Sequence, residues 1–507
     1  MRDVPEGQRS LRAVFDSSYQ RLSEAEQSAL AHLTVFRGGF REEAATAVLG
    51  IAARGMLTSL LDKSLIRRDA NGRYELHELV RQYASDKLNP AEPALERHAA
   101  YFADFLAAQQ SLFRTAHERE AVQAARTEAD NLRQMWRTAS QWARADLLDK
   151  ALISLCFMHD ILGWYDEGIA QFALAIECLA DKPESDAVRA RLMTRRASLA
   201  RSVGRYDEAE RWFSEGLALA HEVGDESNQA YALRQLGFFP MVRGDLDNGL
   251  ASMNESLRLY RAHNDLPRIA DALMSVGIAQ LRLGQMEQAV AMYQEAADIL
   301  AEVGDEVGHA MAQDNLGDAA YYRGEFEAAL RHYTAAADVQ RRYDERRQLA
   351  ISQNNAADVL CQLRRWDEAL VAAQESADLF REMSSRDGAV HALHSQAMAL
   401  LGTGDMPRAS DCYAEVLALG TQLHAEADLL NLLVLGGRLL AALGQHELAA
   451  QLLRFVQGNP ASAAFTTEGA ASALRELPEE VVVRVLADST QTWTTAQAVE
   501  SVLVALS

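Results

Sequence analysis

Two segments set forty residues apart, "AQDNLGDAAYY" and "SQNNAADVLCQ", carry the same polar signature. The first holds Asp314, Asn315 and Asp318, with Tyr321 and Tyr322 just beyond; the second holds Asn354, Asn355 and Asp358. An asparagine amide offers an extended peptide backbone both a donor and an acceptor, and the carboxylates favour a basic segment or an amine. Arg234 and Gln235 lie eighty residues before the first cluster, and His394 lies forty beyond Asn354. This is chemistry for holding a ligand. Patterns for breaking bonds are missing from the sequence. "HELVR" at His77 and "HEVGD" at His221 open like H-E-x-x-H but lack its second histidine, and there is no G-x-S-x-G elbow. No Cys/His group has metal-ligand spacing. A phosphate-cradling G-x-x-x-x-G-K-[ST] loop is also missing, because all four lysines (Lys63, Lys87, Lys150, Lys182) follow an aspartate. No catalytic residue, metal ligand or cofactor is therefore assigned, and the chain is not expected to be an enzyme.

The elements that must position these residues are bounded first by composition. At 507 residues the chain exceeds one ordinary core, so several domains or an array are expected. Hydrophobic residues at 49% and charged residues at 24% are globular proportions. No apolar run is long enough to span a membrane, and "MRDVPEGQRSLRAVF" lacks the apolar stretch of a secretory signal. Four cysteines (Cys156, Cys178, Cys361, Cys412) without C-x-x-C pairing read as reduced thiols of a cytoplasmic protein. Charge is uneven. Residues 1–90 carry 13 Lys+Arg against 12 Asp+Glu, leaving 37 against 60 in the remainder. That remainder repels phosphate backbones, which argues against nucleic acid as its partner.

The forty-residue spacing is general. Gly204, Gly244, Gly284, Gly324, Arg364, Gly404 and Gly444 stand at one stride, with Gly163 forty-one earlier. Seven residues before each turn stand Ala197, Gly237, Gly277, Gly317, Ala357, Ala397 and Gly437. Five after it stand Ala209, Gly249, Ala289, Ala329, Ala369, Ala409 and Ala449. Two antiparallel helices, A before the turn and B after it, approach closely only where both present small side chains. A bulky residue four positions beyond the second set, such as Phe213, Tyr293, Tyr333 or Tyr413, lies on the same helical face and fills the gap; Ala373 is an exception. Second breaks at Gly224, Asn264, Gly304 and Asp344 end helix B. Small, turn, small, aromatic in this order resembles the tetratricopeptide repeat, with a unit longer than the usual one of about 34 residues. The resemblance implies a right-handed superhelix whose concave groove is lined chiefly by helix A. Groove positions then fall ten, nine and six before the turn, where Arg234, Gln235, Asp314, Asn315, Asp318, Asn354, Asn355, Asp358 and His394 stand, with Tyr321 nearby.

The first ninety residues read differently. "SLRAVFDSSYQRLSEAEQSALAHLTVFRGGFREEAATAVLG" predicts three helices, with Ser23 and Glu26 in a capping box, and "ARGMLTSLLDKSL" predicts another. "LIRRDANGRYELH" predicts a hairpin around Asn71-Gly72, and "ELVRQYASDKL" a closing helix before Pro90 and Pro93. Helices followed by a β-wing make a winged helix. With "LTVFRGGF", "LLDKSLIRR" and "YELHELVRQYA", the segment resembles the winged-helix domain of STAND-class signal-transduction ATPases, in particular bacterial regulators joining an NB-ARC-type ATPase to tetratricopeptide repeats. "LERHAAYFADFLAAQ" and "EADNLRQMW" resemble the helical bridge of that family. The resemblance implies that His77, in Leu76-His77-Glu78, matches a motif histidine touching the phosphate of bound ADP; Glu78 departs from the usual aspartate. That role needs a nucleotide-binding domain supplied in cis or in trans, since this sequence has no P-loop of its own.

The resulting expectation is a mainly α chain. A winged-helix domain spans 1–90, a helical bridge 91–160, seven to eight repeats 161–457 and C-terminal capping helices 458–507. Its function is expected to be non-catalytic sensing in a bacterial signalling protein, with a peptide (of basic character at the Asp/Asn clusters), a protein or a small inducer in the groove. Two other readings are a DNA-binding regulator using the winged helix directly, through Arg54, Thr58 and Lys63 against Asp62, and a free-standing scaffold.

Overall fold

The computed structural model describes residues 19–87, 93–113, 115, 117–383, 385–422, 426–487 and 493–506. The first helix expected ahead of Tyr19 and the Pro90 linker lie outside them. The chain divides into two compact units, Met1–Ala279 and Gln280–Ser507. Among the described residues no single helix is long and apolar enough to cross a membrane.

The first unit opens with α1 (Glu24–Leu33), α2 (Glu42–Leu49) and α3 (Ala53–Asp62). Ser23 caps α1 as expected: its hydroxyl accepts from the Glu26 amide, while the Glu26 carboxylate accepts from the Ser23 amide at 2.8 Å. Strands β1 (Ile66–Arg68) and β2 (Tyr74–Leu76) pair antiparallel, Ile66 opposite Leu76, across the Asn71-Gly72 turn. Helix α4 (Glu78–Ser85) closes the segment. Four helices follow, α5 (Pro93–Gln109), α6 (Glu118–Thr127), α7 (Ala129–Gln141) and α8 (Ala145–Ile161). One continuous core runs from Leu22 through Phe36, Phe40, Phe102 and Trp136 to Phe213 and Phe239. The "RGGF" and "EADNLRQMW" motifs meet inside it. Asn131 accepts from the Arg37 amide at 2.7 Å and donates to the Gly39 carbonyl at 2.8 Å, and Arg73 forms a buried ion pair with Glu128. The Arg37–Gly39 turn is thus a seat for α7 as well as a helix break.

Helix hairpins complete the unit: α9 (Tyr165–Cys178), α10 (Asp186–Ser202), α11 (Tyr206–Glu222), α12 (Glu226–Leu236), α13 (Phe238–Val242), α14 (Leu246–Ala262) and α15 (Leu266–Arg282), the last of which crosses the unit boundary. Where one helix A was expected before Gly244, two short ones stand. Pro240 supplies no amide to the Leu236 carbonyl and its ring crowds it, so the helix breaks at Gly237.

The second unit continues the pattern with α16 (Met286–Val303), α17 (Glu306–Tyr322), α18 (Phe326–Tyr343), α19 (Arg346–Gln362), α20 (Trp366–Glu382) and α21 (Arg386–Thr403). After these come α22 (Met406–Gly420), α23 (Glu426–Ala442), α24 (His446–Gly458), α25 (Ala464–Arg475), α26 (Glu479–Ala487) and α27 (Thr495–Leu506). The small-residue seams are where the stride places them. Ala209, Ala289, Ala329, Ala369, Ala409 and Ala449 have no solvent exposure, and Tyr293, Tyr333 and Tyr413 are buried beside them. A Cβ on Gly317 would come within 2.7 Å of the Tyr333 ring. Even the non-glycine turn residues adopt the left-handed backbone: Arg364 at φ 57°, Asn264 at 51° and Asp344 at 57°.

Candidate functional site

In the second unit the predicted polar residues form a row along successive A helices. Asp314 and Asp318 sit one turn apart on α17, and both reach α19, the next helix A, and α18 between them. The Asp314 carboxyl lies 2.7 Å from the Ser352 hydroxyl and accepts from the Gln340 amide at 2.7 Å, while Ser352 and the Gln340 carbonyl are 2.8 Å apart. Those three contacts close a ring. Asp318 accepts from the Tyr333 hydroxyl at 2.6 Å and from the Asn355 amide at 3.5 Å. On α19, Asp358 accepts from the Ser395 hydroxyl of α21, which also stands 3.1 Å from the Asn354 carbonyl oxygen.

These carboxyls are half-buried, and their acidity shifts with the solvent they lose. Burial pushes Asp314 up to about 7 and Asp358 up to about 6, against the opposing hydrogen bonds from Ser352 and Gln340 and from Ser395. Asp318 is raised by burial too, opposed by Tyr333. The cause is desolvation of a charged group, the first of the ways a protein shifts a carboxyl. With the Asp314 carboxyl protonated, the ring closes with every group satisfied. The protonated carboxyl donates to Ser352, Ser352 donates to the Gln340 carbonyl, and the Gln340 amide donates back. Polar residues expected to face a ligand are in this part committed to their neighbours. Asn315, half-buried, makes no side-chain hydrogen bond among the described residues, and the Asn354 amide nitrogen makes none either. Tyr321 packs edge-on to Tyr322 and Phe326, and His394 is kept neutral by burial, which lowers it to about 4.

In the first unit, Gln235 is buried while Arg234 is half-buried. The guanidinium of Arg195, on α10, lies 3.5 Å from the Tyr231 ring centre, and that of Arg234 lies 5.8 Å from the same ring. Arg195 was not among the expected residues. Its place nine before Gly204, the same offset as Gln235 from Gly244, is the signal that finds it. The charges of Arg234, Arg268 and Arg195 all act on the buried Tyr260 phenol, whose acidity is weakened chiefly by burial.

His77 is exposed at the N-cap of α4, where its Nδ1 accepts from the Leu79 amide at 3.3 Å. Its Nε2 is left as the donor of the neutral ring. At the end of α3 Lys63 pairs with Glu26 at 2.6 Å, and on α3 Arg54 pairs with Glu42 at 2.7 Å.

Residues 228–302 and 308–382 match the tetratricopeptide repeat family model. A Mycobacterium tuberculosis protein named as an HTH-type transcriptional regulator, Rv0890c, is 32% identical over 261 residues, covering 47% of this chain and 29% of the relative. Regulatory protein AfsR of Streptomyces griseus is 26% identical over 295 residues, covering 52% of this chain and 30% of its own length. The chain thus spans under a third of the length of these curated relatives. Among solved structures, a STAND protein with a tetratricopeptide repeat sensor from Pyrococcus horikoshii aligns at 18% identity with a TM-score of 0.45, covering 79% of this chain and 63% of that one.

Proposed function

We propose that this chain is the non-catalytic sensing region of a STAND-type signal-transduction or transcription regulator, and that its A helices bind a peptide, protein or small effector. The observation that supports this most is a division of labour within the repeat. The seam positions stay small from hairpin to hairpin, while the offsets ten, nine and six before the turn change: Arg234, Gln235 and Phe238, then Asp314, Asn315 and Asp318, then Asn354, Asn355 and Asp358. A framework that repeats with a face that varies is how a repeat array acquires specificity. The names of the relatives, both regulators, agree with this reading. In it the segment 1–90 is a winged-helix module that passes the state of the array to a nucleotide-binding domain, and His77 offers Nε2–H to that domain's nucleotide phosphate.

Direct DNA binding by the same module is the second reading, favoured by the relatives' HTH-type name. Against it, Arg54 of α3 and Lys63 at its C-terminal end are already engaged by Glu42 and Glu26. Selection of displayed random peptides on the full chain tests the main reading: binders are expected, with binding weakened by Asn315→Ala or Arg234→Ala. Recovery of no binder, or binders indifferent to both variants, overturns it. Fluorescent ADP is expected not to bind the chain alone, and salt-sensitive binding of duplex DNA would favour the second reading.

A further inference from the structure

On one surface of the first unit, Arg195, Arg201 and Arg234 have no carboxylate partner among the described residues. Other guanidinium groups of α10 are paired: Arg191 with Asp149 and Asp225, Arg189 with Asp186, Arg196 with Glu208. Neither Arg195 nor Arg234 has a carboxylate partner among the described residues, in a chain of net charge −22. Nη1 of Arg195 and Nε of Arg234 are shielded from solvent without a hydrogen-bond acceptor. Tyr231 lies beside both: the Arg195 guanidinium stacks on its ring and that of Arg234 stands at its margin, and both side chains belong to half-buried residues. An apolar step lies beside them. Phe238, at the start of α13, stands 5.9 Å from the ring of the exposed Tyr206, with the Arg201 guanidinium of α10 over it.

We infer that this surface of α10, α12, α13 and the start of α11 takes an extended acidic peptide segment, with carboxylates on Arg195 and Arg234 and a neighbouring apolar side chain against Phe238 and Tyr206. The inference rests on the reading of the A helices as the ligand-binding face and names the ligand chemistry for the first unit. Guanidinium forks match carboxylates with two parallel hydrogen bonds, and preorganisation on an aromatic ring reduces the entropy lost on binding. Nucleic acid has the right charge sign but would meet the acidic remainder of the chain.

The test uses three labelled peptides of one length on the full chain, read by fluorescence anisotropy at low and high salt. One contains glutamates beside a phenylalanine, a second replaces each glutamate by glutamine, and a third by lysine. The glutamate peptide is expected to bind at least about tenfold tighter than the glutamine peptide, and the preference to shrink as salt rises. Arg195→Gln with Arg234→Gln is expected to abolish the preference, and Phe238→Ala to weaken both peptides alike. Arg234→Gln alone, whose side chain makes only the distant ring contact, serves if the double variant melts early by circular dichroism. A wild-type chain that shows no preference for glutamate, or variants that keep it, overturns the inference. Tighter binding of the lysine or glutamine peptide sinks the acidic assignment but leaves the proposed function standing. Failure of all three peptides together with failure of the displayed-peptide selection removes both.

Discussion

Replacing Asp314 by asparagine should stabilise the chain at alkaline pH and flatten its pH dependence. Asparagine reproduces the protonated carboxyl: its amide donates to Ser352 where the acid proton would, and its carbonyl accepts from Gln340. The wild-type carboxyl moves from an ordinary 3.8 to about 7 on folding. The folded state therefore binds the proton more tightly than the unfolded one, and stability falls as pH rises from about 4 through about 7. At about 1.4 kcal/mol per pH unit, the ionised form costs folding on the order of 4 kcal/mol at most above pH 7. Urea unfolding of wild type and Asp314→Asn, followed by circular dichroism at intervals from pH 5 to pH 8.5, reads this directly. The two curves should nearly coincide at pH 5 and separate by a few kcal/mol at pH 8.5, the variant being the more stable. A variant less stable at pH 8.5, or a separation that does not change with pH, refutes the protonated ring.

Other outcomes follow from single positions. Gly317→Ala places a methyl within 2.7 Å of a Tyr333 ring held by burial and by Asp318, and should lower stability by about 1–3 kcal/mol in the same denaturation assay. Arg364→Gly relieves a left-handed backbone at an exposed turn and should raise stability by about 0.5–1 kcal/mol, while Arg364→Val should lower it. Glu128→Ala leaves Arg73 buried without its partner and should cost about 3–5 kcal/mol. Limited proteolysis should then release the segment before residue 90, whereas replacing both residues by leucine should do less harm.

The repeat could be read almost entirely from the chain. A stride of forty, small residues at two offsets and glycine at a third follow from local geometry, since helical periodicity and left-handed turns are properties of a few neighbouring residues. The hairpin at Asn71-Gly72 and the Ser23 capping box are legible for the same reason. The split at Gly237 was legible too, in Pro240, although the regular stride obscured it.

The state of the polar residues was decided elsewhere. Nothing adjacent to Asp314 tells that Ser352 and Gln340, thirty-eight and twenty-six residues away, enclose it, or that burial keeps its proton. Nor does the sequence near Arg195 reveal that it shares the Tyr231 ring with Arg234, or that Asn131 seats the turn at Gly39. Sequence by itself determined which helices form and where they touch, because those follow from short-range backbone preferences and side-chain size. Only the tertiary structure decided which charges survive and which are shared or neutralised, because a group's charge depends on the solvent it loses and the distant partners it gains.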